Sequence, residues 1–401
     1  MDVLIRNAKI YAENGPFSGD LGIRDGKIAA LGERLSERGW EHVMDAQGLR
    51  LLPGFIDIHV HGALGRDVSD ALPESLDAIS QMLAAKGVTS FCPTTMTLPP
   101  EQLEAAVLAV SAFIGSERGA YVHGVHLEGP FISLGKCGAQ DARSARWPTM
   151  EEFERLCRMG PVKIISMAPE LPGALGFARQ ASERCCVSMA HTEADYDQAR
   201  AAIAAGFRHA THLFCAMTGL HHRAPGLVGA VLDDPHVTAE LIGDGVHLHP
   251  AAVRLAMRLL GEDRAVLVSD AVAAAGLPEG AYALGGNTYY RRGGAVYLEG
   301  NTLAGSSSHL YDEFRNLLSW GIDERAALKA ATINPARVIG VDGETGSIAK
   351  GKAADLLLAD EDWNLRSVFL RGRNLTEEPD GLQEDLQENY AFMMNNSAAE
   401  D

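Results

Sequence analysis

The sequence predicts a (β/α)8 barrel, a TIM-like α/β fold, joined to a small β-sandwich domain that is built from both chain termini. Two patterns carry this prediction. Between residues 54 and 341, short apolar runs alternate eight times with helix patterns, whereas both chain ends are rich in short strand patterns. A doubly wound open sheet is the alternative. It is disfavoured because no glycine-rich dinucleotide loop follows the first strand of the middle region, whose length suits a barrel.

The two chain ends are predicted to pair into one sheet domain. Strand patterns cover residues 3–5, 8–10, 21–24 and 27–31 at the start, and 346–348, 354–358 and 368–372 near the other end. Asp25-Gly26 stands between two short alternating runs, which is a strong local hairpin signal. We therefore predict a small β domain from residues 1–53 plus 342–375, a (β/α)8 barrel domain over 54–341 and an acidic tail over 376–401.

The middle region supplies the barrel elements in order. The predicted strands cover residues 54–62, 88–94, 122–130, 163–170, 187–194, 209–217, 238–247 and 265–273. Helix patterns cover residues 73–86, 100–114, 149–158, 250–260, 306–320 and 323–331. Residues 273–305 interrupt the alternation with glycines and short β runs, and we expect this insertion to cover the barrel mouth and shield it from water.

Composition limits the classes of partner. The chain has 401 residues and a net charge of −18, and it has eight acidic and no basic residues after Arg373. A protein this acidic offers no basic field for nucleic acid or for an anionic membrane surface. The six cysteines have no CxxC spacing, which favours free thiols in a reducing compartment. With no basic leader and no apolar run long enough to span a bilayer, we expect a cytoplasmic protein.

Metal-ligand side chains recur where the predicted strands end, which is the active-site end of a (β/α)8 barrel. Any one of them could be a hydrogen-bonded core group, but ligand-type residues at the same end of six of eight strands are hard to produce by packing alone. They are His59 and His61, His126 and Glu128, His191, His212, Asp244 and His247, and Asp270.

This set predicts a catalytic metal site. His59 and His61 stand two apart in a strand pattern, so both side chains point to one face. Imidazole and carboxylate ligands suit Zn²⁺ or a neighbouring divalent ion, and the lack of thiolates argues against a closed structural zinc site.

The motifs resemble the amidohydrolase superfamily and, within it, the family of N-acetylglucosamine-6-phosphate deacetylases. The resemblance covers roughly residues 1–375 and includes the stretch 351–356 typical of the superfamily's terminal sheet. The segments that carry it are 126–130, 190–192, 211–214, 244–247 and 303–306, together with His59-x-His61 and Asp270.

The resemblance implies one or two divalent ions per chain. Glu128, His191 and His212 would form one metal position. His59, His61 and Asp270 would form a second, with Glu128 bridging the two. Both strand-1 histidines are present, which favours two ions. Zn²⁺ is the favoured ion, with Fe²⁺, Mn²⁺ or Co²⁺ as alternatives.

The resemblance also implies the reaction. A metal-bound hydroxide would attack the amide of N-acetyl-D-glucosamine 6-phosphate and release acetate and glucosamine 6-phosphate. Asp270 would act as general base and then as general acid, and His247 would hydrogen-bond the carbonyl as negative charge develops.

The segment 215–226 resembles the family's phosphate-binding loop, with Arg223 as the anion partner. In related enzymes this loop works close to a dimer interface, so we expect a homodimer that acts on an amino sugar phosphate. The implied substrate contacts are Ala139, Gln140, Cys215, Ala216, His222, Arg223, His247 and Ser306.

Two positions depart from the family pattern. Cys215 stands where relatives commonly have Asn, and Gln140 where they usually have His. Both lie on the substrate side, so they leave open a galacto epimer, another acyl group or an unphosphorylated sugar.

Three other interpretations remain open. A cyclic amide or ureide hydrolase is disfavoured because strand 4 ends in Pro169-Glu170 rather than a lysine. A silent sugar-phosphate-binding protein is disfavoured because no ligand residue is lost. Cys215 as a nucleophile lacks a neighbouring base in the sequence.

Overall fold

The structure is a computed structural model that describes residues 2–284 and 287–376. It confirms the predicted fold class, a parallel (β/α)8 barrel with a separate curled sheet from the two termini. Apart from Thr376, the predicted acidic tail lies outside the described residues. The division into domains at residues 53 and 342 remains our proposal.

The chain forms strands of the terminal sheet first and then enters the barrel. The N-terminal strands are β1 (Val3–Ala12), β2 (Gly15–Arg24), β3 (Lys27–Gly32), β4 (His42–Asp45) and β5 (Arg50–Pro53). The first barrel half contains β6 (Phe55–Val60), β7 (Gly62–Ala63), β8 (Arg66–Asp67), α1 (Pro73–Ala85), β9 (Val88–Thr95), α2 (Pro100–Phe113), β10 (Tyr121–Val122), β11 (Val125–Glu128), α3 (Met150–Met159) and β12 (Val162–Met167).

The second barrel half contains α4 (Ala174–Ala181), β13 (Cys186–Met189), α5 (Tyr196–Ala204), β14 (His209–Ala210), α6 (Gly226–Asp233), β15 (Thr238–Ile242), α7 (Pro250–Arg264) and β16 (Ala265–Val268). The insertion and C-terminal elements are β17 (Gly280–Leu284), β18 (Asn287–Arg292), β19 (Ala295–Leu298), β20 (Leu303–Ser306), α8 (Leu310–Ser319), α9 (Glu324–Ala331), α10 (Ile333–Val338), β21 (Leu356–Ala359), β22 (Leu365–Leu370) and β23 (Arg373–Asn374).

The terminal sheet joins the two chain ends. Its strand order is β23-β22-β21-β5-β1-β2-β3, and β21 runs antiparallel to β5. Strands β2 and β3 form the expected hairpin, in which Asp25 and Gly26 both have positive φ (47° and 72°). Positive φ at both central residues matches the right-handed twist of paired strands. The expected strand at 346–348 is reduced to a single bridge from Ile348 to Ala12.

The barrel strands lie side by side in the order β6, β9, β11, β12, β13, β14, β15 and β16, all parallel. The end of β16 returns to β6, because the Asp270 N–H donates to the His59 carbonyl at 2.9 Å. The opposite barrel end is closed by α10. There Asn334 donates to the Ala265 carbonyl at the start of β16, and Ile58 belongs to an apolar cluster that contains Ala336.

The insertion forms an antiparallel sheet of β17, β18, β19 and β20. The sequence placed a helix start at Ser306, but the helix begins at Leu310 because Ser306 ends β20. The Ser306 N–H donates to the Asp270 carbonyl at 2.9 Å, which carries the insertion into the barrel mouth. Among the described residues, no helix combines the length and apolar character needed to cross a bilayer.

Candidate active site

The predicted ligands converge at the barrel mouth because each lies at or just beyond the end of a barrel strand. His59 and Glu128 lie within β6 and β11, and the others follow β6, β13, β14 and β16. His191, His212 and Asp270 all have positive φ (45°, 34° and 47°). This sparsely populated conformation costs energy for a non-glycine residue and concentrates at functional sites.

One group of side chains meets on a single oxygen of Glu128. Its Oε1 lies 2.9 Å from His212 Nε2 and 3.1 Å from His191 Nε2, and the two Nε2 atoms are 3.2 Å apart. Ligands bound to Zn²⁺ at about 2.0 Å in a tetrahedron stand about 3.3 Å from each other. These separations match such a coordination shell to within a few tenths of an ångström.

A second group shares Glu128. His59 Nε2 and His61 Nε2 are 3.2 Å apart, and His61 Nε2 lies 3.3 Å from Glu128 Oε2. Asp270 Oδ1 lies 3.5 Å from both of these Nε2 atoms. Glu128 therefore stands between the two groups.

The hydrogen bonds of three histidine rings direct their Nε2 atoms toward a common centre. The Nδ1 atoms of His59, His61 and His191 face Glu240 Oε2 (2.8 Å), the Thr94 carbonyl (3.1 Å) and the Lys136 carbonyl (2.8 Å). These oxygens can only accept, so each Nδ1 carries a proton and each Nε2 faces the centre of the cluster. Burial alone would lower the pKa of His59, but Glu240, Asp270 and Glu128 around it raise that pKa to about 9, so the cluster favours positive charge. Imidazole nitrogens and carboxylate oxygens that converge in this way form a ligand set for a divalent cation.

The charges of the carboxylates agree with that role. Burial alone would raise the pKa of Glu128, but His59, His191 and His212 beside it hold that pKa well below its usual range. Burial alone would also raise the pKa of Asp270, but His59 and His61 beside it lower that pKa. The Asp270 side chain is 13% exposed, so it is the acidic group of the cluster that reaches the open mouth.

A third cluster, beneath the second group, contains His59, His126 and Glu240. Both ring nitrogens of His126 are already hydrogen-bonded, Nδ1 to the Ile58 carbonyl at 2.8 Å and Nε2 to Ser166 Oγ at 2.7 Å. Burial lowers the pKa of His126 to about 3, so the ring stays neutral. This cluster is a hydrogen-bond network that supports the mouth rather than a cation site.

His247 stands beside Asp270, with 4.0 Å between His247 Nε2 and Asp270 Oδ2. Its other nitrogen, Nδ1, lies 2.7 Å from Asp244 Oδ2, and the same carboxylate accepts from the His247 N–H at 2.9 Å through Oδ1. Asp244 thus fixes the ring so that Nε2 faces the cavity.

A cavity of about 410 Å³ opens at this mouth, which is enough for a monosaccharide-sized ligand. Its lining includes Ala139, Gln140, Cys215, Ala216 and His247 from the predicted substrate contacts, together with Lys136 and Met96. Leu303, Ala304 and Gly305 at the end of the insertion line it as well.

Three predicted substrate contacts lie elsewhere. His222 and Arg223 are exposed, outside the cavity lining, with Arg223 Nη1 2.7 Å from His222 Nε2. Ser306 is buried, and its hydroxyl donates to the Ser269 carbonyl. Their roles in binding stay predictions.

The two departures from the family pattern both face the cavity. Gln140 uses both ends of its amide on the protein, since Nε2 donates to Glu128 Oε2 and Oε1 accepts from the Thr97 N–H at 2.6 Å. Burial raises the pKa of the Cys215 thiol to about 12, which keeps it protonated and disfavours a nucleophilic role.

Sequence reasoning missed Glu240 and His209, and it left Asp244 without a role. Glu240 is fully buried in β15 between apolar neighbours, and His209 is fully buried in β14. A charged residue within an apolar strand is a signal that could have singled out Glu240, because an unpaired buried charge is costly.

Known proteins resemble this chain along most of its length. The sequence model of the amidohydrolase family matches residues 50–389. An N-acetylgalactosamine-6-phosphate deacetylase of Escherichia coli O157:H7 is 35% identical over 93% of this chain and 99% of the relative. An N-acetylglucosamine-6-phosphate deacetylase of Bacillus subtilis is 34% identical over 92% of this chain and 96% of the relative.

Solved structures are similar to this chain as well. The crystal structure of N-acetylglucosamine-6-phosphate deacetylase from Pasteurella multocida superposes with a TM-score of 0.88 and 31% identity, covering 93% of this chain and 99% of the other.

Proposed function

This chain belongs to the amidohydrolase family, and from that premise we propose that it is a metal-dependent deacetylase of N-acetyl-D-glucosamine 6-phosphate. The observation that carries the proposal is the convergence of His191 and His212 on one oxygen of Glu128 at the mouth of a sugar-sized cavity. The names of its relatives support an amide as the bond that is cleaved and a sugar phosphate as the substrate.

We propose that Glu128, His191 and His212 hold one divalent ion and that His59, His61 and Asp270 hold a second, with Zn²⁺ as the favoured metal. Such an ion polarises an amide carbonyl and lowers the pKa of water to about 7 in favourable zinc sites. The chain's own residues then have to hold the amide, move the proton and stabilise the developing charge.

Asp270 is the proposed proton carrier. One of its oxygens faces the histidines and the other faces His247, so the carboxylate can accept the proton of the attacking water and pass it to the leaving nitrogen. At the acetyl carbon, a new C–O bond replaces the C–N bond. The products are acetate and the sugar with a free amine. One carboxylate can serve both steps because it returns to its ionised form.

His247 is the proposed partner of the carbonyl oxygen. Asp244 Oδ2 lies 2.7 Å from its Nδ1 and holds the ring so that Nε2 faces the cavity, within reach of a bound carbonyl oxygen. A donor at this place stabilises the oxyanion more than the ground-state carbonyl.

A second candidate substrate is N-acetylgalactosamine 6-phosphate. Relatives with the two activities are almost equally identical to this chain, and both departures, Gln140 and Cys215, line the cavity. An acetyl sugar without phosphate is a third option.

The test of the proposed function is acetate release from purified protein loaded with Zn²⁺. We expect kcat/KM for N-acetylglucosamine 6-phosphate to exceed that for the unphosphorylated sugar by at least about 10-fold, because a charge-assisted hydrogen bond to phosphate contributes about 1.5–3 kcal/mol. The galacto epimer is measured in parallel. A higher kcat/KM for the galacto epimer would move the assignment to the second candidate, and no acetate from either would contradict the deacetylase proposal.

We also propose a homodimer in which Arg223 serves the cavity of the partner chain. Arg223 is exposed and does not line its own cavity, although an anion partner is needed in an acidic protein. Lys136 is the only Lys or Arg among the lining residues of the described chain. We further propose a cytoplasmic location, which agrees with six free cysteines.

Complementation between two inactive variants tests the shared site. Arg223→Ala and Asp270→Asn should each be impaired as homodimers with the phosphorylated sugar. A purified mixed dimer should recover about half of the wild-type kcat, since one of its two sites is then intact. Arg179→Ala on α4 serves as the surface control. If the mixed dimer stays as inactive as its parents, Arg223 does not act across the interface.

A further inference from the structure

We propose that Glu240 is a positioning residue that aligns the two metal positions with each other, by holding one ligand from each through a single carboxylate oxygen. This inference rests on the proposed metal centre and concerns a residue to which the family resemblance assigns no role. It predicts that metal affinity depends on a carboxylate that touches neither metal nor substrate.

Two contacts of Glu240, one to each metal position, converge on the same carboxylate oxygen. Its Oε2 accepts from His59 Nδ1 at 2.8 Å and from the backbone N–H of His212 at 2.9 Å. Its Oε1 lies 3.2 Å from Nε2 of His209. One side chain therefore ties β6 and the turn after β14 to β15.

Glu240 lies beneath the cavity rather than in it. It is fully buried and is not among the lining residues. It can act on the reaction only through the residues it holds.

The contact with His59 fixes the direction of a ligand. With Nδ1 donating to a carboxylate, the imidazole is held in the tautomer that presents Nε2 to His61 and Asp270. A carboxylate in this position also makes the ring a better electron donor. Such outer partners typically change metal affinity about 10–100-fold when they are removed.

The contact with His212 fixes a backbone. His212 has φ of 34°, a conformation that needs support from its surroundings. Its Nδ1 is buried without a hydrogen-bond partner in the described part of the chain, so no second contact through Nδ1 sets the angle of its ring. The hydrogen bond from its N–H to Glu240 is thus a main restraint on where Nε2 points.

The competing explanation is that Glu240 stabilises only the barrel interior, through His209. The two explanations differ in what happens to metal binding. A core residue should change the unfolding temperature and leave the affinity of the folded chain for metal unchanged. A positioning residue should change the affinity in a way that depends on His59.

The experiment measures Zn²⁺ affinity and stoichiometry by competition with a chromophoric chelator, and records the visible spectrum of the Co²⁺-loaded chain. We expect Glu240→Gln to weaken Zn²⁺ binding about 10–100-fold and to alter the Co²⁺ spectrum. Glu240→Asp keeps the charge but is too short to reach both partners, so it should weaken binding as well. The control is Glu313→Gln, a buried carboxylate that accepts from the Gly243 N–H and from Ser308 but touches none of the predicted ligands.

A double-mutant cycle then assigns the effect. In a His59→Asn background, Glu240→Gln should lose its effect on the second ion and retain only the part that acts through His212. Zinc affinity within about 2-fold of wild type in both Glu240 variants would overturn the proposal. The proposal would also be overturned if Glu240→Gln does not fold while Glu240→Asp binds zinc with wild-type affinity. Because the readout is metal binding, a wild-type chain that binds zinc yet releases no acetate would contradict the proposed function alone.

Discussion

Asp270→Asn should lower kcat for acetate release by at least about 10³-fold, because general acid–base catalysis by one group contributes about 10²–10⁴ and Asp270 is proposed to act in both proton transfers. This corresponds to about 4 kcal/mol in the activation barrier. The amide oxygen of Asn can still face His59 and His61, so we expect KM to stay within a few-fold of wild type.

Steady-state kinetics with the phosphorylated sugar measure this effect, together with binding of the substrate to the variant. The matched control is Asp355→Asn, immediately before β21 of the terminal sheet. Asp355 is also buried and hydrogen-bonded, to the Arg371 N–H at 2.8 Å, but it lies far from the mouth. If Asp270→Asn keeps more than about a tenth of wild-type kcat, Asp270 is not the group that transfers the proton.

Glu128→Gln should remove bound metal and reduce acetate release by at least about 10³-fold. Glu128 contacts His191 and His212 through Oε1 and His61 through Oε2, so it belongs to both proposed metal positions. Replacing one carboxylate oxygen by an NH₂ group removes a negative charge and a ligand atom from a centre whose other proposed ligands are four imidazoles and Asp270.

Elemental analysis of the purified variant gives metal per chain, and the kinetic assay gives the activity. Glu170→Gln is the control. Glu170 also lies at this end of the barrel, where it accepts hydrogen bonds from Thr192 and from the Glu193 N–H, but it is outside the ligand cluster. Full metal content in the position 128 variant would show that Glu128 is not a ligand.

The sequence was informative about the barrel for a physical reason. Strand and helix patterns have different periods, so their alternation identifies parallel strands, and the carboxyl ends of such strands must meet at one mouth. Placing His59, His191 and His212 in one cluster followed from that rule. The hairpin at Asp25-Gly26 followed from backbone preferences alone.

Other features depend on contacts between distant residues and left no local signal. The support of His59 and His212 by Glu240 joins three strands, and no spacing in the sequence encodes it. The left-handed backbone at His191, His212 and Asp270 is equally hidden, since none of these residue types marks such a turn as glycine does. The exposure of Arg223 depends on how its loop packs against the chain, which the segment 215–226 does not specify.

The most direct test of the metal centre is an anomalous difference map from a crystal of the protein grown with Zn²⁺, recorded at the zinc absorption edge. We expect a strong peak within about 2.0–2.2 Å of Glu128 Oε1, His191 Nε2 and His212 Nε2. A map with no anomalous peak among these three atoms, from a crystal in which they are well ordered, would contradict the proposed metal-dependent hydrolase.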